Sequence, residues 1–85
     1  YITDSLGWAQ YKLKNFSEAK FHLERAIQMM PNDPIVNDHF ADCLWMINKK
    51  IQARYYWEYV LTLDDTEDEL REKIKNKLLF GLEKI

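Results

Sequence analysis

The chain is poor in the residues that staple, break or loosen a fold. Its 85 residues include one cysteine, two glycines and two prolines. Cys43 has no internal disulfide partner, so no cross-linked scaffold is encoded and no oxidising compartment is demanded. So few glycines and prolines exclude collagen-like and linker-like chains. An excess of one charge is missing too. Twelve Lys and Arg oppose 14 Asp and Glu, for a net charge of -2, which provides no global field to attract nucleic acid or an anionic membrane surface. No apolar run approaches the roughly 18 residues of a membrane span, and no basic stretch leading into an apolar core opens the chain. There is no Gly-rich phosphate loop, no nucleophile elbow and no zinc-spaced Cys or His pair. Neither catalysis nor a cofactor is expected, and the compartment is left open because any targeting signal would lie upstream.

What is present suits a helix-rich globular segment: 47% of residues are hydrophobic, 31% charged and 14% aromatic. A chain this short buries a smaller share of its surface than a typical domain, so its core is marginal and neighbours would help it. It opens at Tyr1 rather than Met, already in helical pattern, and is expected to be a piece of a longer protein.

An internal repeat organises the sequence. Ala19 matches Ala53, Leu23 matches Trp57 and Ala26 matches Val60, each at an offset of 34 residues, and the turn at Pro31, Asn32 and Asp33 matches Asp64, Asp65 and Thr66. Punctuation then divides the chain into five helices. The first runs from about Ile2 to Leu13. Lys14-Asn15-Phe16 turns the chain, and Ser17 is the expected N-cap of a second helix reaching Met30. Asp33-Pro34 reads as an N-cap with proline at the first helical position, where its missing N–H costs nothing, opening a third helix to about Ile47. A fourth spans about Ile51 to Leu63. Thr66 and Glu69 suggest a capping box for a fifth helix starting near Glu67. There Leu70, Ile74, Leu78 and Leu82 form one apolar stripe, while acids early and lysines late complement the helix dipole.

These residues resemble the tetratricopeptide repeat family, whose motif combines Leu-Gly and aromatic positions in one helix with Ala, Leu or aromatic, Ala and Pro in the next. In the first unit Leu6, Gly7, Phe16, Ala19, Leu23, Ala26 and Pro31 match, while Thr3 and Gln10 depart. In the second, Phe40, Ala41, Leu44, Ala53 and Trp57 match in character, but Asn37 replaces the leading aromatic and Asp65 the closing proline. The stretch from Asp33 to Trp45 also resembles C-terminal units of longer bacterial members. The resemblance implies an all-α right-handed solenoid segment of antiparallel helix-turn-helix units: repeats at about 1–33 and 34–66, then a capping helix at about 67–85. Ala19, Leu23, Ala26, Ala53 and Trp57 are expected in the core, the small residues admitting close helix approach.

The resemblance further implies that the first helices of successive units line an inner wall, formed here by Asp4, Trp8, Tyr11 and Lys12, then Ile35, Asp38, Asp42 and Trp45, then Glu69, Glu72, Asn76 and Leu79. Its acids and aromatics would suit a basic or mixed basic and aromatic peptide, against the blander reading of a solvated charged wall. A clamp for a partner's C-terminal carboxylate, which some members carry, is not expected. Asp4, Trp8, His39 and Glu69 stand where its Lys, Asn, Asn and Lys belong, and only Lys73 has suitable charge.

Other constellations read as structure. Asp38, His39 and Asp42 are too thin a set for a metal. Cys43 beside small residues is the pattern of a buried inert thiol. The Tyr55, Tyr56, Trp57 and Tyr59 cluster lacks the basic residues of a single-strand binder. The expected function is a protein-binding module presenting a concave face to a protein or peptide. Two alternatives stand beside it: a regulatory or substrate-recruiting segment of a larger enzyme, and a self-association element whose open ends expose Tyr1, Ile2, Leu6 and Leu13 on one side and Leu79, Phe80 and Ile85 on the other.

Overall fold

A computed structural model describes residues 2–82, with side chains from Asp4 to Leu82. Five α-helices fill it: α1 (Ile2–Lys12), α2 (Phe16–Met29), α3 (Pro34–Met46), α4 (Lys50–Thr62) and α5 (Asp68–Phe80). Each helix packs on its successor, and no strand occurs among the described residues.

The 34-residue period is written into the backbone as well as the side chains. Lys14 and Asn48, one period apart, both adopt left-handed conformations, with φ of 66° and 67°. Each closes the helix before it, a position where Asn is tolerated and Lys less so. The backbone bonds repeat too: Asn15 N–H donates to Gln10 O and Lys49 N–H to Leu44 O. The starts of α3 and α5, Pro34 and Asp68, are again one period apart, so α5 occupies the backbone register of a further unit's first helix.

The core sits between the helix pairs. Ala19, Leu23, Ala26, Ala53 and Trp57 are buried as expected, joined by Phe40, Ala41, Cys43, Leu44, Val60 and Ile74. Leu70, Leu78 and Leu82 pack against that cluster, so the α5 stripe faces inward. Gly7 is the contact that sets the α1–α2 distance. A Cβ there would lie 2.7 Å from Leu23 Cγ, inside van der Waals contact with a side chain that has nowhere to go.

Two helix starts differ from the sequence expectation. Ser17 is not an N-cap: α2 begins at Phe16, and Asn15 precedes it with no side-chain cap. The Asn15 amide is drawn instead to Gln10 Oε1 at 2.8 Å. Nor do Thr66 and Glu69 form a capping box. Thr66 Oγ1 donates to Val60 O at 2.7 Å, and Glu67 holds the N-cap position without a side-chain bond. In both places a hydrogen bond to an earlier segment wins over the local cap. The Asp33 cap is as expected, its carboxylate accepting from Val36 N–H at 3.0 Å with Pro34 in the first turn.

Candidate partner-binding surface

The first helices of the units form one row. Asp4 of α1 meets His39 Nδ1 of α3 at 2.9 Å, and Lys77 of α5 reaches back to α3, donating to Asp38 Oδ1 at 2.8 Å and to Asp42 Oδ1 and Oδ2 at 3.0 and 3.1 Å. These bonds order α1, α3 and α5 side by side.

Along this row the expected wall residues divide by what they touch. Trp8 lies flat between two rings, stacked on Tyr11 at 4.5 Å and on His39 at 3.9 Å. The three rings form a half-buried shelf, and the Asp4 carboxylate fixes the orientation of its imidazole. Tyr11 also meets Phe16 edge to face. Its hydroxyl is held well above the ordinary tyrosine range by burial, then by Asp42, Cys43 and Asp38. Lys12, Ile35, Glu69, Glu72, Asn76 and Leu79 are exposed.

Asp38 and Asp42 are elsewhere than expected. They are expected on an open wall that meets a partner, but they are 7% and 5% exposed and share the Lys77 ammonium. Asp42 Oδ1 also accepts from Trp57 Nε1 at 3.1 Å. Burial, then Asp38, pushes the Asp42 carboxyl up to about 6, against the pull of Lys77 and Trp57. Burial alone would depress Lys77, but the two carboxylates together outweigh it and the ammonium is held above its ordinary range. Both pKa values rise, which disfavours the charge on Asp42 and favours it on Lys77: burial beside a second carboxylate raises the first, and the two carboxylates together raise the second. Trp45 is half-buried, its ring 5.4 Å from Trp57, with Lys50 Nζ over it at 4.9 Å. Gly81, at a left-handed φ of 72°, lies against that ring so closely that a Cβ would overlap it.

Four residues outside the expected wall do much of this work: His39, Arg71, Lys77 and Gly81. Lys77 lies three positions after Ile74 and beside Leu78, on the buried side of α5, and a lysine inside an apolar stripe is the signal that a buried acid faces it. Arg71 donates to Thr66 O at 3.1 Å, Leu61 O at 2.8 Å and Leu63 O at 2.8 Å, so the end of α4 is capped from α5. Cys43 is the buried thiol expected. It donates to Phe16 O at 3.3 Å, and burial pushes it up to about 11 despite the opposing pull of Lys20.

No curated protein and no solved structure matches the chain. A family model does: residues 4–33, which cover most of α1, all of α2 and the turn to α3, match the model described as Tetratricopeptide repeat. Such repeats serve in general as protein–protein interaction modules on a non-catalytic scaffold. With its five helices in 34-residue register, the chain is an all-α helical repeat, and its residues 4–33 are similar to a tetratricopeptide repeat.

Proposed function

We propose that the α1–α3–α5 row is the partner-binding face and that it takes a basic, or basic and aromatic, segment of another protein. The stacked shelf of Tyr11, Trp8 and His39 carries this reading. A rigid, half-buried aromatic stack loses little entropy on binding and offers its ring edges to an aromatic ring of a ligand. On the same row Glu69, Glu72 and Asn76 follow one face of α5, exposed to solvent. The two glutamates supply the negative charge that Asp38 and Asp42, held by Lys77, do not. Glu72 has Lys75 at 3.6 Å, a solvated pair that a ligand cation can replace. Lys12, Ile35 and Leu79 complete the surface.

Fluorescence anisotropy with matched basic-aromatic and acidic peptides tests the reading. The basic peptide is expected to bind better, and Glu69→Lys with Glu72→Lys to weaken it about fivefold or more, with the effect fading at high salt. Equal affinity for both peptides, insensitive to salt, would remove the electrostatic basis of the proposal.

Self-association is the second reading, favoured by the exposure of Leu6 (49%), Leu13 (68%), Leu79 (74%) and Phe80 (74%) at the two ends of the array. Tyr1 and Ile85, and the side chain of Ile2, lie outside the described residues.

A further inference from the structure

On the other side of α3, about half a helical turn from Asp38 and Asp42, lies a groove of about 500 Å³. Lys20 and Glu24 of α2 form one bank, and Ile51, Gln52, Tyr55 and Tyr56 of α4 the other. Phe40 and Leu44 of α3 make the floor, and Lys49 closes one end. None of the α1–α3–α5 shelf residues contributes. The volume lies within the range of about 300 to 1,000 Å³ usual for pockets that hold a ligand group.

Its chemistry is that of an apolar slot with a cationic rim. Ile51 is 86% and Tyr55 63% exposed, a large apolar side chain and an aromatic ring open to solvent on one bank. Tyr55 meets Tyr56 edge to face at 5.2 Å, and Tyr56 meets Phe40 at 5.0 Å, so rings descend from the rim to the floor. Two lysines oppose one glutamate among the lining residues, a local positive excess in a chain of net charge -2. Lys20 is not locked to Glu24: the pair is 3.7 Å long and half solvated, an arrangement of little net energy. Lys50 is turned away, over Trp45. The start of α4 has no side-chain cap, so first-turn N–H groups at the Lys49 end add donors of the same polarity.

We propose that this groove is a second docking surface, taking a partner segment with an aliphatic or aromatic anchor next to a carboxylate. The anchor sits on Tyr55, Tyr56 and Ile51, and the carboxylate lies between Lys20, Lys49 and the start of α4. Because it selects the opposite charge from the α1–α3–α5 face, the two surfaces can be tested apart.

The probes are three fluorescein-labelled hexapeptides: Asp-Glu-Leu-Phe-Asp-Glu, its basic counterpart Lys-Lys-Leu-Phe-Lys-Lys, and Asp-Glu-Ser-Gly-Asp-Glu without an anchor. Binding to the whole chain is read by anisotropy and by amide shifts in nitrogen-proton correlation spectra. The anchored acidic peptide is expected to shift the amides of Lys20, Ile51, Gln52 and Tyr55. Lys20→Glu combined with Lys49→Glu should weaken it about fivefold or more, and Ile51→Ala should weaken it with no charge change. The anchor-less peptide should not compete. Since these side chains contribute nothing to the core, helical circular dichroism should be unchanged. Affinity unaltered in the double variant, shifts confined to α1 and α5, or no saturable binding of the acidic peptide below about 1 mM would each overturn the proposal.

Discussion

Asp42 is buried beside a second carboxylate, and the two share one ammonium. A folded-state carboxyl at about 6, above its unfolded value, means that the folded chain binds more protons than the unfolded one between roughly pH 4 and 6. This contribution to stability is present below that window and lost as pH rises through it. Chemical denaturation at pH 7.5 and pH 5 should therefore show the chain gaining stability on acidification. In Asp42→Asn the gain should shrink, because the amide oxygen still accepts from Trp57 and Lys77 while the titrating group is gone. An identical pH response in the two proteins would show that Asp42 is ionised at no cost. Sequence alone did not reveal this burial. Asp38 and Asp42 read as solvated because their partner Lys77 lies 39 and 35 residues away, beyond any local pattern.

At the scale of the element, α5 is held by polar bonds as much as by its stripe. Ile74 is fully buried and Leu70 and Leu78 pack on the core. Arg54 donates to Leu78 O at 2.7 Å, and Arg71 caps α4 through Leu61 O and Leu63 O while bonding Thr66 O of the turn that follows. Arg71→Ala leaves the last carbonyls of α4 without those donors, and should cost about 2 kcal/mol. Arg71→Lys should recover little, since a single ammonium cannot span three carbonyls arranged for a planar fork. Urea denaturation checks this, and full recovery by lysine would show that only the charge near the α4 terminus matters. The helices themselves were legible because Ala, Leu and aromatic positions recur at 34 and because Asp33-Pro34 has one sensible reading. Thr66 differs from its local reading because its hydroxyl has several acceptors within reach and bonds Val60 O instead, and the α2 start differs because the Asn15 amide bonds Gln10.

For the molecule as a whole, repetition decides which faces are covered. Each unit contacts its neighbours alone, so a face with no unit packed on it leaves its apolar side chains uncovered. Leu6 and Leu13 are exposed at one end, and Leu79 and Phe80 at the other. Sedimentation over a wide concentration range should show reversible association, and a strict monomer at high concentration would argue that these side chains are merely scattered surface residues. The family motif made the core legible, including Trp57 in place of a smaller residue, because signature positions are packing positions. The binding surface was legible in outline only. The motif assigns residues to the α1–α3–α5 row but is silent on which of them pair within it, as Asp4 does with His39 and Asp38 with Lys77. A map of amide and indole shifts on adding a basic-aromatic peptide shows whether this row receives the partner. Shifts at the Trp8 indole, Lys12, Ile35, Glu72 and Asn76, with α2 and the outer face of α4 unmoved, are the predicted result; shifts confined to α2 and α4 would contradict it.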